Sequence, residues 1–243
     1  MSHKTHNHHQ NTGKGIVSPW SMLTTAFAMA VLLATAPLQA APIVRVTPSD
    51  DTYVVLADGD GSVGSNIEML TRTSSDRTCY VKFQLSDFQK KYFQDSATFD
   101  VTLTDTNGGG DHYDLYGLND GDSLESWSET TLGDTTPGVI DYGNLASNLG
   151  RVTLISSLVE PNPNGFKPET SYVSNSNLFN FINADTNGQV TFLMFPTGGA
   201  QAKYATKEHA TITKPGLSLT LPEPASAILL GLSVTGLLVR RRR

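Results

Sequence analysis

Alternation is the feature that most restricts what this chain can fold into. Cys79, Val81, Phe83 and Leu85 are apolar, while Tyr80, Lys82 and Gln84 between them carry polar groups. Ala97, Phe99, Val101 and Leu103 alternate in the same way with Thr98, Asp100, Thr102 and Thr104. A period of two sends successive side chains to opposite faces of a strand, so each run predicts one apolar and one polar face. Tyr113 to Leu118 continues the pattern after Asn107-Gly108-Gly109-Gly110, which reads as a hairpin connection. Further strands are expected at 151–155, 189–195, 204–205 and 217–221. The run Val190 to Phe195 is apolar on both faces, as a strand at the centre of a sheet would be. Turn-rich stretches at 58–65, 119–123 and 160–168 separate these runs. One helix is expected between Ser174 and Ala184, with Leu178, Phe179 and Ile182 on one face and Ser or Asn as N-cap. Together these predict an all-β fold over 41–221: a single β-sandwich of jelly-roll type with one short helix.

Two apolar stretches fall outside that pattern. At the front, Met1 to Asn11 is polar and holds His3, His6, His8 and His9, with Lys4 and Lys14 supplying positive charge. An apolar run from Met22 to Ala36 follows, and Ala40-Ala41 offers small residues for cleavage. Residues 1–40 therefore read as a secretory signal peptide, and its histidines leave with it rather than bind metal. At the back, Pro222-Glu223-Pro224 precedes an uncharged run from Ala225 to Val239, which ends in Arg240, Arg241, Arg242 and Arg243. Such a run rises only about 22 Å as a helix, short of a bilayer's roughly 30 Å hydrocarbon core. Four consecutive arginines cannot follow a core helix inward. They suit an anchor held at the cytoplasmic face.

The order Pro-Glu-Pro, short apolar run, terminal arginines resembles the PEP-CTERM sorting signal of Gram-negative, often biofilm-forming bacteria. The resemblance implies that residues 222–243 form a short transmembrane sorting helix, held transiently in the inner membrane. An exosortase-type membrane protease or transpeptidase would cleave near Pro222-Glu223-Pro224. The body would then pass to the cell surface or the extracellular matrix. Pro222 and Pro224 also deny helical structure to that stretch, leaving extended backbone for a processing enzyme.

Between those ends, residues 41–221 hold 22 acidic residues against 11 basic ones, a net charge of −11. The whole-chain value of −6 conceals this, because two lysines and four arginines belong to the terminal segments. An acidic body argues against nucleic acid and anionic lipid, which need basic patches. It is compatible with divalent cations and with neutral or cationic polymers. Cys79 is the only cysteine, so no intrachain disulfide forms. Its place on an apolar face predicts a buried, inert thiol.

The body carries a second resemblance. Asp51-Thr52-Tyr53-Val54, Gly64-Ser65-Asn66, Arg77 to Leu85, Ser96 to Phe99, Trp127 to Leu132 and the helix followed by Gly188 are similar to a DNRLRE-type domain. Tyr204 to His209 and Lys214-Pro215 match its closing strands, so the similarity spans about residues 46–221. Such domains occur in secreted surface proteins, and some relatives bind acidic polysaccharides. Where the family usually has a tryptophan and an asparagine pair after Leu132, this chain has Gly133-Asp134-Thr135-Thr136.

Candidate sites follow from residue type. Trp127 is the body's only tryptophan, and a flat indole either stacks on a sugar ring or plugs the end of a sandwich. Tyr116 and Tyr142, with Tyr172, are further candidates for glycan contact. Asp58-Gly59-Asp60-Gly61-Ser62 begins like a calcium loop, but the twelfth position, where an EF-hand needs Glu, is Met69. A looser calcium site using Asp50, Asp51, Asp58 or Asp60 stands against a solvated acidic turn. Asp105, Asp111 and Asp114 around the triple glycine pose the same choice. No Gly-x-Ser-x-Gly, His-Glu-x-x-His or phosphate-loop motif is present, and Glu208-His209 is explained as well by strand-edge charge as by acid–base work. The sequence therefore predicts a non-catalytic exported protein associated with extracellular polysaccharide, or a purely structural matrix protein. A polysaccharide-processing enzyme is the least supported reading.

Overall fold

The alternating runs become strands of two antiparallel sheets packed face to face. A computed structural model describes residues 42–55, 66–87, 89, 94–107, 112–133, 135–160, 168–197 and 201–221. One sheet contains β1 (Ile43–Val46), β3 (Glu68–Thr71), β5 (Gln94–Asn107), β8 (Glu169–Val173), β10 (Gln201–Ala205) and β11 (Gly216–Thr220). The other contains β2 (Asp50–Val54), β4 (Thr78–Gln84), β6 (Tyr113–Leu118), β7 (Val152–Val159) and β9 (Gln189–Pro196), in the order β2-β4-β9-β6-β7. The helices that matter for the site are α1 (Leu145–Asn148) and α2 (Ser176–Ala184). Asn175 caps α2 by accepting from the Leu178 amide at 2.8 Å, satisfying one of the donors a helix start leaves open.

The predicted apolar faces meet at the centre. Cys79, Val81 and Phe83 of β4 pack with Phe99, Val101 and Leu103 of β5 in one buried cluster. Phe99 lies 4.8 Å from Phe192 and 6.2 Å from Phe83, ring centre to ring centre, so aromatic contacts cross between the sheets. Cys79 is fully buried, and burial pushes its thiol well above its ordinary pKa, as an inert core residue requires.

Two expectations are corrected. β5 and β6, on either side of the expected hairpin connection at 107–110, are not partners: β5 pairs with β8, β10 and β11, whereas β6 pairs with β7 and β9. The two strands belong to different sheets, and a turn signal alone cannot distinguish a return from a crossing. Nor does β4 have a polar, solvated face. Tyr80 is fully buried and Lys82 nearly so, because the segment Asn119–Arg151 leaves the β6–β7 hairpin and lies over the outer face of the second sheet. The Asn119 amide donates to the Arg151 carbonyl at 2.9 Å and closes the base of this cover. The cover supplies partners for both Tyr80 and Lys82. The Tyr80 hydroxyl accepts from the Ile140 amide at 3.0 Å and donates to the Ile140 carbonyl. The Lys82 ammonium pairs with Asp50 at 3.2 Å and donates to the Trp127 carbonyl. Buried polar groups cost little once so paired.

The edge of β5 positions a second excursion. Asp100 pairs with both Gly216 and Tyr172, and Leu103 with both Tyr204 and Glu169. A residue has two edges, so β8 lies on one side of β5 while β10 and β11 follow each other along the opposite side. Between them Thr206–Pro215 departs from the sheet edge. Thr206 still bonds β3's neighbours, its amide donating to the Ile67 carbonyl at 3.1 Å and its hydroxyl to Asn66 at 2.7 Å. The Lys207 amide then donates to Asp51 of β2 at 2.6 Å, joining the two sheets.

Candidate functional site

A cleft of about 420 Å³ opens between α2 and the end of the β6–β7 hairpin. Its wall on the helix side is one stripe, Asn177, Asn180, Phe181 and Ala184, at the i, i+3, i+4, i+7 spacing of a helical face. The core stripe of the same helix is Leu178 and Ile182. Opposite stand Asn119, Asp120, Thr153 and Leu154, and the floor is Leu118 and Val190. Phe181 reaches its place only because residue 117 is glycine: a Cβ there would sit 2.3 Å from the ring. The ring also lies 5.6 Å from Phe192, which ties it to the core. The cleft thus combines an apolar, partly aromatic floor with side-chain amides on its rim, donors and acceptors in one group.

One end of the cleft is acidic. Asp120, Glu125 and Asp185 place carboxylate oxygens within 4.8 Å of one another. Each is already engaged in the loop. Asp120 accepts from the Thr186 amide and hydroxyl, at 3.2 and 2.5 Å. Glu125 accepts from the Gly121 amide at 2.8 Å and Asn187 Nδ2 at 2.9 Å, and burial raises its carboxyl above the ordinary value. Asp185 accepts from the Gly188 amide at 2.8 Å.

A second carboxylate group lies where the Thr206–Pro215 excursion meets β2. Asp51, Glu129 and Glu208 also place carboxylate oxygens within 4.8 Å of one another. The Lys207 ammonium bridges Glu129 and Glu208, the latter at 2.9 Å. Burial pushes the Asp51 carboxyl up to about 7, with the Lys207 amide pulling it down and Glu208 raising it further.

No protein-family model matches the chain, and no curated protein matches it.

The expected site residues fall in different places. Trp127 is 4 % exposed: its indole N–H donates to Thr191 at 3.1 Å, its ring meets Tyr80 edge-on at 5.7 Å, and the Lys82 ammonium lies 4.9 Å from its centre. It has no open face for a sugar, because the outer face of the second sheet needed an apolar plug. Tyr116 is half-buried, edge-on to Phe195 at 5.4 Å. Tyr142 in the cover is exposed, and Tyr172, 62 % exposed, belongs to the other sheet. These aromatic residues sit on separate elements and do not build one platform.

The acidic candidates divide too. Asp50 neutralises Lys82 and accepts from the Glu129 amide at 3.3 Å, while Asp51, next in the strand, points to the other face. Asp114 accepts from the Leu158 amide at 2.8 Å, and exposed Asp105 lies 4.0 Å from the Lys203 ammonium. Asp58, Asp60, Asp111, the signal-peptide residues and the sorting segment with Pro222, Glu223, Pro224 and Arg240 to Arg243 lie outside the described residues. Among the described residues no helix is long and apolar enough to cross a membrane. His209 accepts from the Ile212 amide at 3.0 Å through Nδ1, which is a loop-capping role.

Sequence reasoning missed both the cleft and the Asp51–Glu129–Glu208 group. The asparagine stripe of α2 was a readable signal for the first. The second had none, because its members are far apart in the chain.

Proposed function

We propose that this chain is an exported, non-catalytic surface or matrix protein whose jelly-roll sandwich holds polysaccharide in the cleft beside α2. The observation that carries the reading is the cleft's lining: amides of Asn177 and Asn180 beside apolar Leu118, Phe181 and Val190. Sugar hydroxyls both donate and accept, and amides answer both needs, while the C–H face of a sugar ring packs against apolar or aromatic carbon. The PEP-CTERM-like segment supports the export route, with processing by an exosortase-type enzyme near Pro222-Glu223-Pro224. The DNRLRE-like motifs support the polysaccharide class. Three carboxylates near the cleft invite a hydrolytic reading, but each already serves as acceptor to the loop around it.

The test is retention of the full chain, solubilised in detergent, on a panel of neutral and acidic polysaccharides. Asn177→Ala with Asn180→Ala should lower retention on the preferred polymer at least about tenfold, the loss of two or more net hydrogen bonds. Melting should hardly change, since alanine suits a helix surface. No retention of the unaltered chain on any polymer would favour the second reading, a structural matrix protein without a glycan site. The burial of Trp127 and the scatter of the tyrosines favour that alternative. Export is tested separately: mass spectrometry of cell-surface material should find a chain that ends near Pro222–Pro224.

A further inference from the structure

Three segments remote in sequence bring a carboxylate each to one point: Asp51 from the edge strand β2, Glu129 from the cover, Glu208 from the excursion between β10 and β11. Fully ionised, the trio carries three negative charges, of which the Lys207 ammonium, shared between Glu129 and Glu208, cancels one. Asp50 does not add to the balance, being matched by Lys82. Asp51 is fully buried, and only one of its oxygens, Oδ2, has a donor, the Lys207 amide. Among the described residues, Asp51 Oδ1 and Glu208 Oε2 are closed off from solvent without any hydrogen-bond donor. Buried carboxylate oxygens left in this condition are costly, and the cost points to a ligand that supplies positive charge.

We propose that Asp51, Glu129 and Glu208 form a binding site for a hard divalent cation, with Ca²⁺ the best match. An anion is excluded by the surplus negative charge, and an apolar ligand by the carboxylate lining. Coordination chemistry selects within the cations: calcium accepts carboxylates brought together from separate segments in a flexible, irregular shell, whereas magnesium demands a near-ideal octahedron and keeps most of its waters. Asp51 is the fixed ligand, held in a strand and by the Lys207 amide. Glu129 and Glu208 are the adjustable ones, their side chains 25 % and 30 % exposed. Lys207, at 20 %, can surrender at least one carboxylate and turn outward as the ion enters. The bound ion joins the edge of one sheet, its cover and the excursion from the other sheet. This site is independent of the polysaccharide cleft and does not rest on that reading.

The experiment uses the full chain in detergent, stripped with a chelator and then titrated with CaCl₂ or MgCl₂ by calorimetry and thermal melting. A ligand at about a hundredfold excess over its Kd should raise the melting temperature of a domain this size by roughly 5–10 °C. Calcium should give that rise and magnesium a smaller one. Asp51→Asn should abolish it, yet should melt no lower than wild type without metal, because the neutral amide keeps an acceptor for the Lys207 N–H and removes the cost of burying a charge. If Asp51→Asn fails to fold, Glu208→Gln, nearer the surface, must abolish the calcium response instead. Lys207→Met should tighten calcium binding while lowering the metal-free melting temperature, a split that a merely structural lysine would not produce. No heat and no melting shift in wild type up to about 10 mM calcium, well above the range of built extracellular sites, would overturn the proposal. So would a calcium response retained in both carboxylate variants.

Discussion

Asp122 and Arg151 stand near the two ends of the cover segment and hold it closed. Arg151 Nε and Nη2 donate to the two Asp122 oxygens at 2.8 and 2.7 Å, and Nη1 donates to the Gly138 carbonyl at 2.7 Å. Those bonds hold the Asp122 carboxyl below its ordinary 3.8. The unfolded chain therefore takes up the proton at the higher pH. The pair's contribution is complete above 3.8 and drains away as pH falls through the lower folded value. Asp122→Asn should cost about 1.5–3 kcal/mol at neutral pH, measured by urea unfolding. Its midpoint should also fall less steeply than wild type below about pH 4. Parallel curves for the two proteins would show the pair to be idle. Trp127 makes a second test at this scale. Trp127→Phe keeps most of the packing and loses the bond to Thr191, so it should cost roughly 1–2 kcal/mol while polysaccharide retention stays unchanged. A fall in retention without a fall in stability would restore the indole as a sugar contact. Composition could not settle this, since a lone tryptophan serves either role, and what decided it was whether the Tyr80–Lys82 face met water.

At the scale of elements, the cleft depends on a close approach between β6 and α2. Gly117→Ala would place a methyl group against the Phe181 ring. The ring is the movable partner, so the cost should stay within about 1–3 kcal/mol, while the cleft floor is displaced and polysaccharide retention drops. Unchanged retention with intact folding would place the sugar elsewhere. Much of this architecture was legible. The period-two runs at 79–85 and 97–103 became the facing strands β4 and β5, the doubly apolar run became the central strand β9, and α2 lies within the expected span. What was not legible has a common cause. Sheet membership and cover are long-range facts. The polyglycine stretch after Asn107 looks the same whether the chain returns along its own sheet or crosses to the other. Short strands such as β1 and β8 have too few residues to display a period, and β8 is defined by its pairing with β5 rather than by its own pattern. The carboxylate trio is the extreme case, assembled from residues 51, 129 and 208 by the excursion between β10 and β11.

For the whole molecule the deciding quantity is charge. The body's net −11 sets up a field that repels polyanions, and at physiological salt that field reaches only about 8 Å. A neutral polysaccharide entering the cleft meets amides and apolar carbon, contacts that salt hardly screens. Its retention should therefore be unchanged between roughly 0.05 and 0.5 M NaCl. An acidic polysaccharide faces a different balance, because the acidic end of the cleft, Asp120, Glu125 and Asp185, confronts its carboxylates directly. Like charges at about 4 Å in a partly screened setting repel by several kcal/mol, more than a few amide bonds return. Acidic polymers should bind only when a divalent cation bridges the two sets of carboxylates, and a chelator should release them. Affinity electrophoresis in gels carrying each polymer reads both effects at once: retardation by the neutral polymer indifferent to salt and chelator, retardation by the acidic one lost with chelator. If the acidic polymer retards the chain equally well in chelator, the binding surface is not the carboxylate-rimmed cleft.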